Sequence, residues 1–369
     1  MGMGLTGICL ALLVAVFSYT VNWAHFDFSL ESKSPHNSGC LEKPLCDGQV
    51  SFMGRVKCQL FTYPVDVDRH DYKRDVMGRL ARLLQKGLKG QPHVVEGVKG
   101  DIAVKLANPG RPLVLHFAGD NGVGKTTLAQ LISLALAFRC RDMSCLVGDT
   151  SLVLSGVSYD GYSVTDFRSD VVQKIVEHAK RYPRNGVVIV NDLNGLHPDL
   201  VRVLLPLFGR ATTFPEASDA PLNYLTVIIT TDFGRQGRTR GKSLSDMRRI
   251  VESDFKSLYS QLSSSMIQTY PFLPASLSTA REIVRATVDG YRCDSRHGIG
   301  KLDVDDEVVE WFIDLVKDDL PAENGRCVSK AVVGVVGPAV LQHLSSRLPS
   351  LASLRVVLDS DGSVAVREN

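Results

Sequence analysis

The spacing of apolar residues changes along the chain, and each change marks an element. Residues 4–21, GLTGICLALLVAVFSYTV, are one uncharged and largely apolar run. Residues 22–60 are polar, contain Ser, Gly and Pro, and predict a linker or loosely ordered collar. From Asp75 to Leu88, apolar Val76, Leu80, Leu83, Leu84 and Leu88 alternate with Arg74, Arg79, Arg82 and Lys86, the spacing of an amphipathic helix. Short continuous apolar runs at Leu113–Ala118, Val187–Val190 and Leu225–Thr230 predict buried strands. Helical patterns lie between them, from Thr127 to Leu136, from Val171 to Lys180 and from Pro198 to Leu207, with a polar stretch over Gly148–Asp170. Strands alternating with helices predict an α/β fold, a parallel sheet with helices on both faces.

Past Pro274 the pattern becomes helical, at Ala280–Asp289, Asp305–Lys317 and Ser329–Leu344. Gly337-Pro338 predicts a break or kink in the last of these. Two alternating runs, Ser353–Leu358 and Ser363–Val366, flank Asp361-Gly362 and predict a terminal hairpin.

Composition narrows the class only slightly. The 369 residues hold one large or two medium domains, and 44% apolar with 22% charged residues is ordinary for a globular protein. A net charge of +2 gives no reason to expect nucleic acid as a partner. The basic stretch 234–249, with Arg235, Arg238, Arg240, Lys242, Arg248 and Arg249, has no interleaved aromatics and reads as a solvated loop.

The apolar leader changes the picture more. Its eighteen residues are at the lower edge of a membrane span, so residues 1–24 predict a signal peptide or an uncleaved signal anchor. The expected address is the secretory pathway, with membrane association through this segment if it is retained. Residues 25–69 hold Cys40, Cys46 and Cys58, a cluster that an oxidising lumen would bridge, without the paired spacing that zinc wants. Among the other cysteines, Cys293 and Cys327 are one candidate pairing.

The chemistry concentrates after the first predicted strand. Gly119-Asp120-Asn121-Gly122-Val123-Gly124-Lys125-Thr126 is a full G-x-x-x-x-G-K-[ST] match between strand and helix. Glycines let the backbone curl so that its N–H groups face phosphate oxygens, and the helix N-terminus adds its positive dipole end. Lys125 supplies a mobile cation, the Thr126 hydroxyl a Mg²⁺ ligand, and Thr127 continues the site into the helix. The stretch predicts a nucleoside triphosphate site, with Mg²⁺.

A second strand ends in Val190-Asn191-Asp192, followed by His197-Pro198-Asp199, and a third ends in Thr230-Thr231-Asp232. With Asn324-Gly325-Arg326-Cys327 near the C-terminus, their order resembles the Clp-type AAA+ ATPases and their torsin relatives. The resemblance covers about residues 70–369. It implies an AAA+ nucleotide-binding domain over 70–274 and a small, mostly helical lid over 275–369 ending in the hairpin. It implies ATP and Mg²⁺ as cofactors, Asn191 on the metal, directly or through water, and Asp192 where the family has its water-activating Glu. Asp232 falls where the family has a polar sensor, usually Asn, and Arg326 on the arginine that reaches from the lid.

The departures also have consequences. Asn191 lacks the family's negative charge, and Asp192 is a methylene shorter than Glu, a displacement that can lower a rate roughly a hundredfold. A carboxylate at Asp232 repels a γ-phosphate unless it is protonated or bridged through Mg²⁺ or water. Residues 265–274, SMIQTYPFLP, carry no basic residue where Clp-type rings have an arginine finger; torsins lack it too and share the Pro-Phe-Leu-Pro run. Tyr159-Asp160-Gly161-Tyr162 resembles a substrate-threading loop, although spacing sets Val164–Arg168 on the torsin-like segment instead. The leader and the collar favour a torsin-like protein: an ATP-binding, chaperone-like remodeller in the endoplasmic reticulum lumen or nuclear envelope. Its hydrolysis is expected to be weak and to depend on a membrane cofactor, with a protein substrate and homo-oligomerisation as further expectations. The alternatives are a non-hydrolysing ATP-binding scaffold and another P-loop NTPase.

Overall fold

The computed structural model describes residues 70–136, 151–233, 238, 241–259, 267–293, 299–345 and 352–369. The apolar leader, the collar and residues 234–237 and 239–240 of the basic stretch lie outside them. The described chain starts with α1 (His70–Gly87) and α2 (Pro92–Ala107) and runs through β1 (Leu113–Ala118) into α3 (Lys125–Leu136). Then come β2 (Ser151–Ser155), α4 (Val164–Arg181), β3 (Val187–Asn191), α5 (Pro198–Val203), β4 (Thr226–Thr231), α6 (Leu244–Leu258) and β5 (Ile267–Pro271).

These strands form a five-stranded sheet in the order β2-β3-β4-β1-β5, with every pair parallel. On one face Leu113, Leu115, Phe117, Val187 and Ile189 meet Leu84, Val98, Ile102, Leu128 and Ile132 of α1, α2 and α3. On the other face Val114, Ala118, Val188 and Val190 meet Phe167, Ile175, Leu200 and Val251 of α4, α5 and α6. Both faces are covered, so the strands read as unbroken apolar runs rather than alternating ones. Each buried large side chain adds about 1.5–3 kcal/mol. β1 lies between β4 and the edge strand β5, and its C-terminal end belongs to the rim where such sheets bind ligands.

The remaining elements are α7 (Leu277–Arg292), β6 (Ile299–Val304), α8 (Asp306–Val316), α9 (Leu320–Glu323), α10 (Gly325–Ser345), β7 (Ala352–Leu358) and β8 (Val364–Glu368). They enclose a separate core of Val284, Phe312, Val332, Val336 and Leu354, among others. Their sheet runs β6-β7-β8, with β7 and β8 antiparallel as the hairpin pattern predicts. β6, parallel to β7, is an addition that the pattern did not show.

Several boundaries differ from the sequence pattern, each for a local reason. The polar stretch 148–170 contains the edge strand β2, a 3₁₀ turn at Gly156–Tyr159 and the start of α4. α4 begins seven residues early because the Ser163 hydroxyl accepts the Asp166 N–H at 3.1 Å, an N-cap. α5 stops at Val203, short of Pro206, which has no N–H to continue it. α10 is not broken at Gly337-Pro338: it runs through Pro338, with Val332, Val336 and Val340 buried on both sides of the proline. By length and composition α10 could cross a membrane, but that buried face packs into the small core.

Candidate functional site

The loop after β1 carries the site because the strand order leaves its end free to turn between neighbours. Gly119 N–H donates to Thr231 O at 3.3 Å and Phe272 N–H to Ala118 O at 2.7 Å, which fixes the start of the turn against β4 and β5. Gly122 and Gly124 then take φ of +73° and +102°, values that L side chains rarely adopt. Lys125 opens α3 at once, so the helix's free N–H groups face the space above the sheet.

That space is a cavity of about 1170 Å³. It is lined by Asn121 through Thr127, by Asp192 and Asp232, and by Arg326 from the small unit. Gly119 and Asp120 are buried beneath it and contribute backbone: their carbonyls each accept a hydrogen bond from Lys125 Nζ at 2.8 Å. The third acceptor is Asp232 Oδ1 at 3.0 Å, and both partners of this ion pair are only 7% exposed. Burial pulls the Lys125 ammonium below the usual lysine range, and Asp232, Asp192 and Asp120 oppose the shift.

Asp192 sits just after β3 in the left-handed region, φ +51° and ψ +51°. Asp tolerates this conformation, and the turn packs closely on Gly156, where a Cβ would lie 2.2 Å from the Asp192 carbonyl oxygen. The Asp192 N–H donates to Thr230 Oγ1 at 3.0 Å, and the same hydroxyl donates to Asn191 Oδ1 at 3.2 Å. Asn191 is therefore turned onto β4 and is not one of the cavity's lining residues, although the resemblance assigns it to the metal. The His197-Pro198-Asp199 segment starts α5: His197 Nδ1 accepts the Asp199 N–H at 3.3 Å, with the imidazole exposed.

The small unit closes on the loop through Asn324 and Gly325, which precede Arg326 in the sequence and to which the resemblance assigns no role. Asn324, buried and in a strained conformation of φ +51° and ψ −135°, donates to Asn121 O at 2.9 Å and accepts the Ala275 N–H at 2.9 Å. Gly325 N–H donates to Gly122 O at 3.2 Å. The contact leaves Gly122 no room for a side chain, since its Cβ would lie 2.0 Å from Glu323 O. Within the larger unit, Gln91 exchanges hydrogen bonds with Leu273 at 2.8 and 2.9 Å. Gln91 gave no signal beyond a single amide beside a proline, too common to pick out.

Cys327 is a buried thiol that donates to Asn324 O, so the Cys293–Cys327 pairing does not form. Cys293 is disulfide-bonded and lines the cavity. Tyr159 packs against Phe167 with its ring largely buried, whereas Tyr162 is exposed.

The donor set fits a polyphosphate with a hard cation. Backbone N–H groups and Lys125 suit anionic oxygens, while the Thr126 hydroxyl and the two carboxylates are the oxygen ligands that Mg²⁺ prefers. No protein-family model matches the chain. Among solved structures, the S. cerevisiae Hsp104–ADP complex aligns over 84% of this chain with a TM-score of 0.63 at 17% identity. The match covers 55% of the Hsp104 chain, so this chain spans about half its length. At that identity the likeness carries the fold alone: a parallel five-stranded sheet with helices on both faces, followed by a small helical unit with a three-stranded sheet.

Proposed function

We propose that this protein is a torsin-like AAA+ ATPase that binds ATP with Mg²⁺ and remodels a protein partner, with slow turnover on its own. The observation that carries this reading is Lys125, held buried between the P-loop carbonyls and Asp232, in a cavity shared with Asp192 and the lid's Arg326. On ATP binding Lys125 exchanges its Asp232 contact for phosphate oxygens, while Arg326 reaches the nucleotide from the lid. Mg²⁺, when bound, neutralises phosphate charge. Asp192, placed by its left-handed turn, polarises the attacking water. The absence of a basic residue from 265–274 supports dependence on an arginine supplied by a partner, a contribution worth orders of magnitude in rate. Residence in the endoplasmic reticulum lumen or nuclear envelope is supported by the apolar leader and by the disulfide at Cys293. Homo-oligomerisation belongs to the same proposal.

One observation favours a second reading, an ATP-binding scaffold that does not hydrolyse: Asn191 is uncharged and already engaged by Thr230. Calorimetric ATP titration of the wild type and Lys125→Ala tests the site, with binding expected only in the wild type; equal binding by both refutes it. Turnover assays then separate the readings. Slow hydrolysis that rises with an arginine-bearing luminal domain supports the enzyme, and no turnover under either condition supports the scaffold.

A further inference from the structure

We propose that Thr230 is the positioning residue for Asp192, and that Asn191 acts only through it, by orienting the Thr230 hydroxyl. The inference rests on reading the protein as an ATPase with Asp192 set against the attacking water. The β3–β4 ladder ends at the pair Val190↔Ile229, so the two chains carry Asp192 and Asp232 beyond it without a ladder between them. Two side chains take over. Thr230, buried in β4, accepts the Asp192 N–H on Oγ1 at 3.0 Å. In the opposite direction, the Asp232 N–H donates to Asn194 Oδ1 in the turn after β3, at 3.1 Å.

The backbone of Asp192 shows why the hydroxyl matters. A non-glycine residue in the left-handed region persists where its surroundings over-determine it. Asp192, at φ +51° and ψ +51°, has three such restraints. They are the Thr230 bond, a hydrogen bond from Gly195 N–H to Asp192 O at 2.7 Å, and the close packing of that carbonyl on Gly156. Of the three, only the Thr230 bond ties Asp192 to β4. A hydroxyl has a single hydrogen, and that of Thr230 is donated to Asn191 Oδ1 at 3.2 Å, which leaves a lone pair for the Asp192 N–H. Asn191 sets the hydroxyl and Thr230 sets the turn. Neither lines the cavity, whereas Asp192 does, so both reach the site through Asp192.

The test is single-turnover hydrolysis of saturating Mg–ATP by the full chain, with the Kd for ATP from calorimetry. Thr230→Val keeps the side-chain volume and removes the hydroxyl; it lowers the rate about tenfold to a hundredfold by displacing the carboxylate. The Kd stays within about threefold of the wild type, since the lost interaction serves the chemical step and not binding. Thr230→Ser, which keeps the hydroxyl, restores most of the rate. The double variant Thr230→Val/Asn191→Ala is no slower than Thr230→Val, because a residue that acts only through another is not additive with it. Lys105→Met, which removes hydrogen bonds at the other end of the sheet, is the control for lost stability and keeps the wild-type rate. If Thr230→Val does not fold, Asn191→Ala decides: its rate falls several-fold at an unchanged Kd. A wild-type rate in Thr230→Val, a Kd that weakens as much as the rate falls, a double variant slower than Thr230→Val, or an equal loss of rate in Lys105→Met overturns the assignment and leaves the ATPase reading intact. So does an unchanged rate or a weakened Kd in Asn191→Ala. A wild type that binds Mg–ATP without hydrolysing it overturns the ATPase reading and the assignment with it.

Discussion

Two buried lysines stand at opposite ends of β1 and put similar hydrogen bonds to different uses. At the N-terminal end, Lys105 Nζ donates to the carbonyls of Pro109, Arg111 and Asn223 at 2.7, 2.8 and 2.8 Å. At the C-terminal end, Lys125 Nζ donates to the carbonyls of Gly119 and Asp120 and to the Asp232 carboxylate. Burial pulls Lys105 down to about 7, and its acceptors are all backbone, fixed by the chain itself. Lys125 has one side-chain acceptor, a carboxylate that opposes the effect of burial and can be exchanged for another anion. The backbone-only cage fastens a loop to the sheet, whereas the cage with a carboxylate has a partner that another anion can replace, as the proposed phosphate site requires. Burial of a lysine alone therefore does not mark a functional site; the exchangeable partner does.

The comparison can be broken most directly at Lys125. Lys125→Ala is expected to lower ATP affinity at least about a hundredfold, through loss of charge-assisted phosphate contacts, measured by calorimetry. Lys105→Met should do the converse. Leaving three carbonyls without their donor costs on the order of 3 kcal/mol in denaturant unfolding, with ATP affinity unchanged. If Lys105→Met weakened ATP binding as much as it lowered stability, the division between the two ends would fail.

Gly122→Ala probes the lid contact that covers Lys125. Its Cβ would collide with Glu323 O, so the lid is expected to lift and ATP affinity to fall by about tenfold, a shift of roughly 1.4 kcal/mol. Acid titration sharpens the electrostatic side. Burial holds His116 down to about 3 and His178 down to about 4. Unfolding restores both toward 6.5, so the unfolded state binds more protons between these limits. Stability is thus complete above pH 6.5 and declines as pH falls toward 3, and His116→Gln should flatten part of that decline in thermal melts at stepped pH. The smallest effect is expected at the cap of α5: His197→Ala should cost about 0.5–1 kcal/mol and leave ATP affinity untouched. A large loss of ATP binding there would return His197 to the site.

Legibility in the sequence followed the range of the interactions. β1, β3 and β4 could be read because both their faces are buried, which leaves uninterrupted apolar runs. β2 and β5 are the edge strands, and residues such as Gln268 interrupt their pattern. Gly119–Thr126 could be read because phosphate binding needs glycine, lysine and hydroxyl at fixed local spacing. The contacts of Asn324 and Gln91 could not, because their partners, Asn121 and Leu273, are 203 and 182 residues away. Asn191 was legible as a strand-end residue, but its direction was not: a hydrogen bond to Thr230 on the next strand turns it from the cavity.

By itself the sequence determined the P-loop and the alternation of strands and helices. It also determined the loss of charge at Asn191 and the gain of one at Asp232, because these are properties of residue type and local spacing. Only the tertiary structure decided which oxygen meets Lys125, that Asn191 braces β4, and that Asn324 brings Arg326 onto the loop. Those outcomes depend on strand register and on the closure of one unit over another, through contacts between residues far apart in the chain.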